Sequence, residues 1–363
     1  MVRELSKRHA VTVLAARRLT DWMRRPRTKS KDRVTYPLNL SIPLLPYSYY
    51  FFTSVRAKQI KGVCRYFKPD VVFANNAFNG LSATLACEGS MIPVVTHLHG
   101  YMTGEFESEL ESRYGFILKL TLSRIRKIHS MAVSKSDLIV ALSRAHESFL
   151  KRAGARRTAV LPNAVDTSAF KPSVPSRFSY HPAIGYCGRM LPIKGVTSLL
   201  QAMSLVAKRV PNARLFLVGN FPDPYWSLNR WQKMVNDLQL GEKACFAGPF
   251  PLAEMPSVYR SFDLYCQLDQ STLGTPMSIL EAMASGVPVI TYDFPERREF
   301  FSKCSLLIRA GDVQSIADGI VALLTDNYLR NEMILRGIDV AHEFSFENQI
   351  TKMERILQSV ERP

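Results

Sequence analysis

Cysteines in pairing positions are missing from this 363-residue chain. Its six cysteines, Cys64, Cys87, Cys187, Cys245, Cys266 and Cys304, stand singly, with no Cys-x-x-Cys spacing and no histidine pair nearby. This excludes a disulfide framework and a structural zinc site, and it reads as reduced core thiols of a cytosolic protein. A clean apolar span is missing too. The uncharged stretch Val34 to Val55 is rich in Tyr, Phe and Leu, but Pro37, Pro43 and Pro46 interrupt it, which excludes a membrane-crossing helix there. No secretory signal is visible, so the expected location is the cytoplasm. Acidic residues are the scarcer sign, 31 against 47 basic, for a formal net charge of +16.

What is present suits a globular protein of two core-bearing domains: 47% apolar and 21% charged residues over 363 positions. The charge is uneven. Residues 1–60 hold thirteen Lys or Arg against three Asp or Glu, with Arg24, Arg25, Arg27, Lys29, Lys31 and Arg33 close together. A basic segment followed by an apolar, aromatic one suits an anionic membrane surface better than nucleic acid, and a solvated basic face stays open beside it.

Along the chain, short apolar strands alternate with helices, which implies parallel sheets that take their ligands beyond the carboxyl ends of the strands. The chain opens in mid-motif: Val11 to Ala16 reads as a buried strand, with no strand and Gly-rich turn before it. The expectation is that Met1 lies inside a longer reading frame, or that this is a decayed copy. Strands are expected at Val71 to Ala74, Pro93 to His97, Leu138 to Leu142 and Thr158 to Leu161. His99 falls just past the second of these, where chemistry is usual, although a lone histidine serves structure as readily. His97 and His99 without an acidic third ligand make no metal site. The polar segment Tyr101 to Tyr114 is a candidate cover over a cleft.

Residues 171–182, rich in Pro and Ser, read as a linker. The second region restarts with the strand Ala183 to Cys187, followed by Gly188, Arg189, Lys194 and Gly195 before the helix Val196 to Arg209. A glycine directly after a buried strand lets backbone approach a ligand, and Arg189 with Lys194 offers two cations for a diphosphate. Further strands are expected at Arg214 to Val218, ending at Gly219, and at Leu264 to Leu268. The latter feeds the stretch around which the chain is organised, residues 271–291. There Gly274 and Pro276 punctuate a loop, Met277 to Ser285 reads as a short helix with no basic residue in its first turn, and Val287 to Thr291 as a buried strand. Backbone N–H groups of Thr275, Met277 and Ser278 are thereby offered to an anion, and Glu281 lies one turn further in, placed to accept from a ribose diol. The other reading of this stretch is an ordinary α/β crossover.

The ordered loop motifs resemble the family 4 glycosyltransferases of the GT-B fold. They are His99-Gly100, Ser143, Leu161 to Asp166, Gly188-Arg189 with Lys194-Gly195, Val218-Gly219, Gly248, Asp263, Gly274 to Ala284, and Gly286 to Ile290. The resemblance covers nearly the whole chain. It implies an α/β fold of two Rossmann-like domains facing across a cleft, with an amino-terminal domain (1–172) lacking its first strand, a nucleotide-sugar domain (173–345) and a terminal helix (346–363) that packs back on the first. It also implies a metal-independent retaining transfer from a nucleotide-diphosphate sugar, which is substrate and not cofactor; the expected reaction moves a hexose to a lipid-linked or polysaccharide acceptor at the membrane face, which the basic amino-terminal segment favours. Arg189 and Lys194 then hold the diphosphate, Gly188, Gly219 and Gly274 to Ser278 line the donor, Glu281 holds the ribose, and His99 reaches the transferred sugar. One departure stands out. Where the family places the first of two glutamates, this chain has Leu273, which cannot accept a hydrogen bond; Asp269 is the candidate substitute. The alternative is a degenerate, non-catalytic member that binds nucleotide sugar or a partner transferase.

Overall fold

The computed structural model describes residues 48–99, 122–223, 225–270 and 274–360, with residues 9–10, 13–14, 17–18, 34–35 and 38–39. The basic segment around residues 24–33, the proposed cover at 101–114, Gly100 and Leu273 lie outside the described residues. The chain divides into two units, Met1–Leu161 with Ile350–Pro363, and Pro162–Gln349.

In the first unit, two-residue strands β1 (Val13–Leu14) and β2 (Arg17–Arg18) pair in parallel with β3 (Val34–Thr35) and β4 (Leu38–Asn39). Helix α1 (Ser48–Phe67) leads to β5 (Val72–Asn75), α2 (Ala77–Cys87) and β6 (Val94–His97). A helix at 122–135 (α3), β7 (Leu138–Ala141), α4 (Arg144–Arg152) and β8 (Thr158–Val160) follow. β5 to β8 form one parallel sheet in sequential order. β6 and β7 are buried along their whole length, which is why they read as unbroken apolar runs without alternation. Ile139 and Ala141 join a core with Leu81 and Ile128, whereas Leu138 and Val140 face a second one with Val95 and Met353, as the two-residue period of a strand requires.

The second unit holds six parallel strands: β9 (Ala183–Cys187), β10 (Arg214–Val218), β11 (Ala244–Gly248), β12 (Leu264–Gln267), β13 (Val289–Tyr292) and β14 (Ser305–Ile308). Their order is β11-β10-β9-β12-β13-β14. The chain winds outward from β9 to one edge, returns beside β9, and winds to the other edge. This is the doubly wound order, with its reversal between β9 and β12. Helices α5 (Val196–Arg209), α6 (Leu228–Asp237), α7 (Met255–Tyr259), α8 (Met277–Ala284), α9 (Pro295–Phe301), α10 (Val313–Thr325) and α11 (Asn327–Glu343) complete the unit.

Three sequence expectations change. Residues 162–172 belong to the second unit, because Val165 and Phe170 are buried in its core. Residues 171–182 are no free linker. The Ser261 hydroxyl accepts from the backbone N–H groups of both Arg177 and Phe178 at 2.7 Å, and Arg214 stacks over the Tyr180 ring at 4.3 Å, so the segment is fastened along its length to the second unit. Cys245 is exposed while the other five cysteines are buried, since it lies on the edge strand β11.

Helix α12 (Phe346–Gln358) begins in the second unit, and its residues from Ile350 onward belong to the first. Met353 is fully buried among Val95, Leu138, Val140 and Leu161. Met353→Ala is expected to cost about 2–5 kcal/mol, whereas Arg355→Ala on the exposed face should stay within about 0.5 kcal/mol. Urea unfolding of the two variants checks the contrast.

Candidate functional site

The reversal of strand order puts the loops after β9 and β12 side by side at the carboxyl ends of the strands, the position at which open α/β sheets bind ligands. Both loops are pinned by backbone. Gly188 N–H donates to Val218 O at 2.8 Å, Met190 N–H to Asn220 O at 2.9 Å, and Gln270 N–H to Ile193 O at 2.9 Å. Two glycines permit the close approach. Gly219 has φ +146°, and a Cβ there would lie 1.7 Å from Gly188 O; Gly195 has φ +78°, and a Cβ would lie 2.1 Å from Leu268 O. Neither position admits a side chain.

Arg189 is exposed on this loop, and its carbonyl accepts from the Tyr186 hydroxyl at 2.7 Å. Lys194 keeps 23% of its side chain exposed, and its Nζ stands 3.3 Å from Asp269 Oδ2. The other oxygen, Oδ1, accepts from Arg297 at 2.6 Å, and Arg297 is 1% exposed. Asp269, expected as a stand-in for the missing sugar contact, is instead buried with both carboxylate oxygens engaged by cations. Burial holds the Arg297 guanidinium below its ordinary pKa, with Asp269 acting in the opposite direction.

Helix α8 starts at the same end of the sheet. Its N-cap, Pro276, supplies no side-chain hydrogen bond, and its first turn has no acidic residue, so among the described residues no capping side chain competes for the leading N–H groups. The preceding loop is held by Asn163, whose N–H donates to the Thr275 hydroxyl at 3.0 Å and whose Nδ2 donates to Thr275 O at 2.7 Å. Thr275 is buried, Met277 exposed, and the Ser278 hydroxyl donates to Gln267 Oε1 at 2.8 Å. One turn on, Glu281 accepts from the Tyr259 hydroxyl through Oε2 at 2.8 Å, which leaves Oε1 without a partner among the described residues. Burial raises the Glu281 pKa, against the Tyr259 bond, which lowers it.

In the first unit, His97 ends β6 buried, and His99 lies beyond it exposed, with ring centroids 4.1 Å apart. Nothing in the sequence brought His146 into this group. It is buried, its Nδ1 accepts from Leu142 N–H at 3.3 Å, and it lies within electrostatic range of both other rings. Among the described residues no group of three or more His, Cys, Asp or Glu side chains is arranged to hold a metal ion.

Two family models match, Glycosyltransferase Family 4 over residues 1–169 and Glycosyl transferases group 1 over residues 181–326. The chain belongs to the family 4 glycosyltransferases. The chain is 29% identical over 184 residues to the GDP-mannose-dependent alpha-(1-6)-phosphatidylinositol monomannoside mannosyltransferase of Mycobacterium tuberculosis, covering 46% of each chain. It is 28% identical over 173 residues to mannosylfructose-phosphate synthase of Agrobacterium fabrum, covering 47% of this chain and 34% of that one. The match thus spans about half or less of the curated relatives' length. Among solved structures, Anabaena HepE in complex with UDP and glucose superposes with a TM-score of 0.71 at 19% identity, covering 92% of this chain and 87% of that one. Sucrose-phosphate synthase from Thermosynechococcus elongatus superposes at 0.70 with 18% identity, covering 89% and 80%. These two likenesses show the fold, two parallel-sheet α/β units of the GT-B class.

The first unit buries its two inner histidines neutral. Desolvation foremost, then the neighbouring His99, lowers the pKa of His97 to about 3 and of His146 to about 4. Both folded values lie below the ordinary 6.5, so the unfolded chain takes up protons first as pH falls. Their stabilisation is complete above 6.5 and is lost on acidification, with a slope of up to about 1.4 kcal/mol per pH unit for each ring. Urea unfolding between pH 7.5 and 5 is expected to show this decline, and His146→Gln to flatten it.

Proposed function

We propose that the chain moves a hexose, with retention of anomeric configuration and without a metal, from a nucleotide-diphosphate sugar to a lipid-linked or polysaccharide acceptor of the cell envelope. The observation that carries this reading is the placement of Arg189 and Lys194 on the loop after β9, and of the uncapped start of α8 after β12, the two strands that flank the switch point of the second sheet. When the bond from the sugar anomeric carbon to the diphosphate breaks, negative charge grows on the leaving oxygen, and cations already in place stabilise it. The acceptor oxygen bonds to the same face of that carbon and passes its proton to the leaving phosphate oxygen. Glu281 Oε1 takes the ribose hydroxyls. His99 keeps the role that the resemblance implies, contact with the transferred sugar.

The Mycobacterium tuberculosis relative, a GDP-mannose-dependent phosphatidylinositol monomannoside mannosyltransferase, favours a mannosyl donor and a lipid-linked acceptor. An acceptor at an anionic lipid surface also suits the basic segment at residues 24–33. One observation favours the second reading, a non-catalytic binder of nucleotide sugar: Leu273 stands where the family has a carboxylate, and Asp269 is committed to Lys194 and Arg297.

A screen of the purified chain against GDP-, UDP- and ADP-sugars separates the two. Binding with slow donor hydrolysis supports the enzyme, binding without turnover supports the binder, and no binding refutes both. In an active preparation Lys194→Ala should depress turnover by about 10²-fold. For the membrane, flotation with anionic vesicles is expected at low salt and should be lost at high salt; no flotation at low salt counts against it.

A further inference from the structure

We propose that Asp269 and Arg297 are positioning residues for Lys194: the buried carboxylate tethers the ammonium through one oxygen and is neutralised through the other by Arg297, so that Lys194 meets a diphosphate with its charge uncancelled. The inference rests on reading Lys194 as the diphosphate cation.

Three separate segments supply the group. Lys194 closes the turn after β9, Asp269 follows β12, and Arg297 lies in α9. The two bonds to Asp269 differ in a telling way. Arg297 makes the short one, 2.6 Å, with both partners nearly sealed at 1% and 5% exposure. Lys194 makes the long one, 3.3 Å, and keeps 23% of its side chain exposed. A carboxylate buried to that degree demands compensation, and a rigid guanidinium supplies it better than a mobile ammonium. Among these three groups the formal charges sum to +1; the buried Glu296 carboxyl also acts on Arg297, and burial raises its pKa, which disfavours its charged form. Without Arg297 the pair Lys194–Asp269 would sum to zero, and an incoming diphosphate would meet a cancelled cation. The Gln270 N–H to Ile193 O bond at 2.9 Å ties together the two loops that carry Lys194 and Asp269, so Lys194 is restrained at its backbone as well as at its tip.

Competitive acylation of the full chain, read at Lys194 by mass spectrometry against the other lysines, tests this without any nucleotide. Asp269→Asn removes the charged tether that holds the ammonium, so Lys194 should react several-fold faster. Arg297→Met leaves the whole of the Asp269 charge to Lys194, so the reaction should slow, and Arg297→Lys should restore it. Opposite signs are the signature, since loosening of the fold would accelerate both variants. Equal or unchanged rates overturn the proposal. GDP and UDP are then added as probes. Each should protect Lys194 in the parent chain, and Arg297→Met should weaken diphosphate affinity by about tenfold or more while leaving guanosine and uridine binding unchanged. A diphosphate affinity that falls no further than the nucleoside affinity overturns the neutralising role of Arg297. Opposite acylation shifts with no protection by either diphosphate leave the tether standing and remove the donor-site reading.

Discussion

All six strands of the second sheet run parallel and their order reverses between β9 and β12, so consecutive loops leave the sheet in opposite directions and cannot fill the space between them. Everything at the candidate site answers to that constraint. Gly188 and Gly219 bring two loop backbones into contact with no side chain between them. The turn to Lys194 and the segment after β12 are stitched by a backbone bond, and α8 starts from the second of these. The apolar core of the sheet, with Ile184, Leu215, Leu264 and Ile290 buried together, is the close-packed frame from which these loops leave.

Elements with a long signal were legible in the sequence. The strands Ala183–Cys187 and Arg214–Val218 and the helix Val196–Arg209 fall at their expected bounds, because each is a continuous apolar or helical-period run stopped by a glycine or a polar turn. Helix α9 and strand β14 gave no such signal. The first is seven residues with Glu-Arg-Arg-Glu at its centre, and the second is four residues opening on Ser, too short for any period to show.

The same distinction runs through the site. The positions of Arg189, Lys194 and Glu281 were legible, because standing after a strand or within a helix's first turns is a local property of sequence. Arg297 was not, since a basic pair between glutamates reads as a solvated face. Only the fold brings it to Asp269, 28 residues away. Tyr259, which fixes Glu281 from 22 residues away, and His146, which joins His97 and His99 across β6 and β7, were hidden for the same reason. Side-chain partnerships across strands carry no sequence period.

The two units bury polarity by opposite means. The first takes imidazoles into its interior and keeps them neutral, at the expense of stability in acid; the second takes in full charges and balances them. Balanced charge is the harder choice to explain by stability, because a buried ion pair seldom outperforms well-packed apolar side chains of similar volume. A packing role would also be satisfied with every partner sealed, and Arg297 and Asp269 are sealed. Lys194 is not: it sits where the interior network meets the open end of the sheet, with its own loop held by backbone bonds. With Arg297 and Asp269 offsetting each other in the interior, the charge of Lys194 is left uncancelled at the open end of the sheet, which is the arrangement required for meeting an anion at a fixed point.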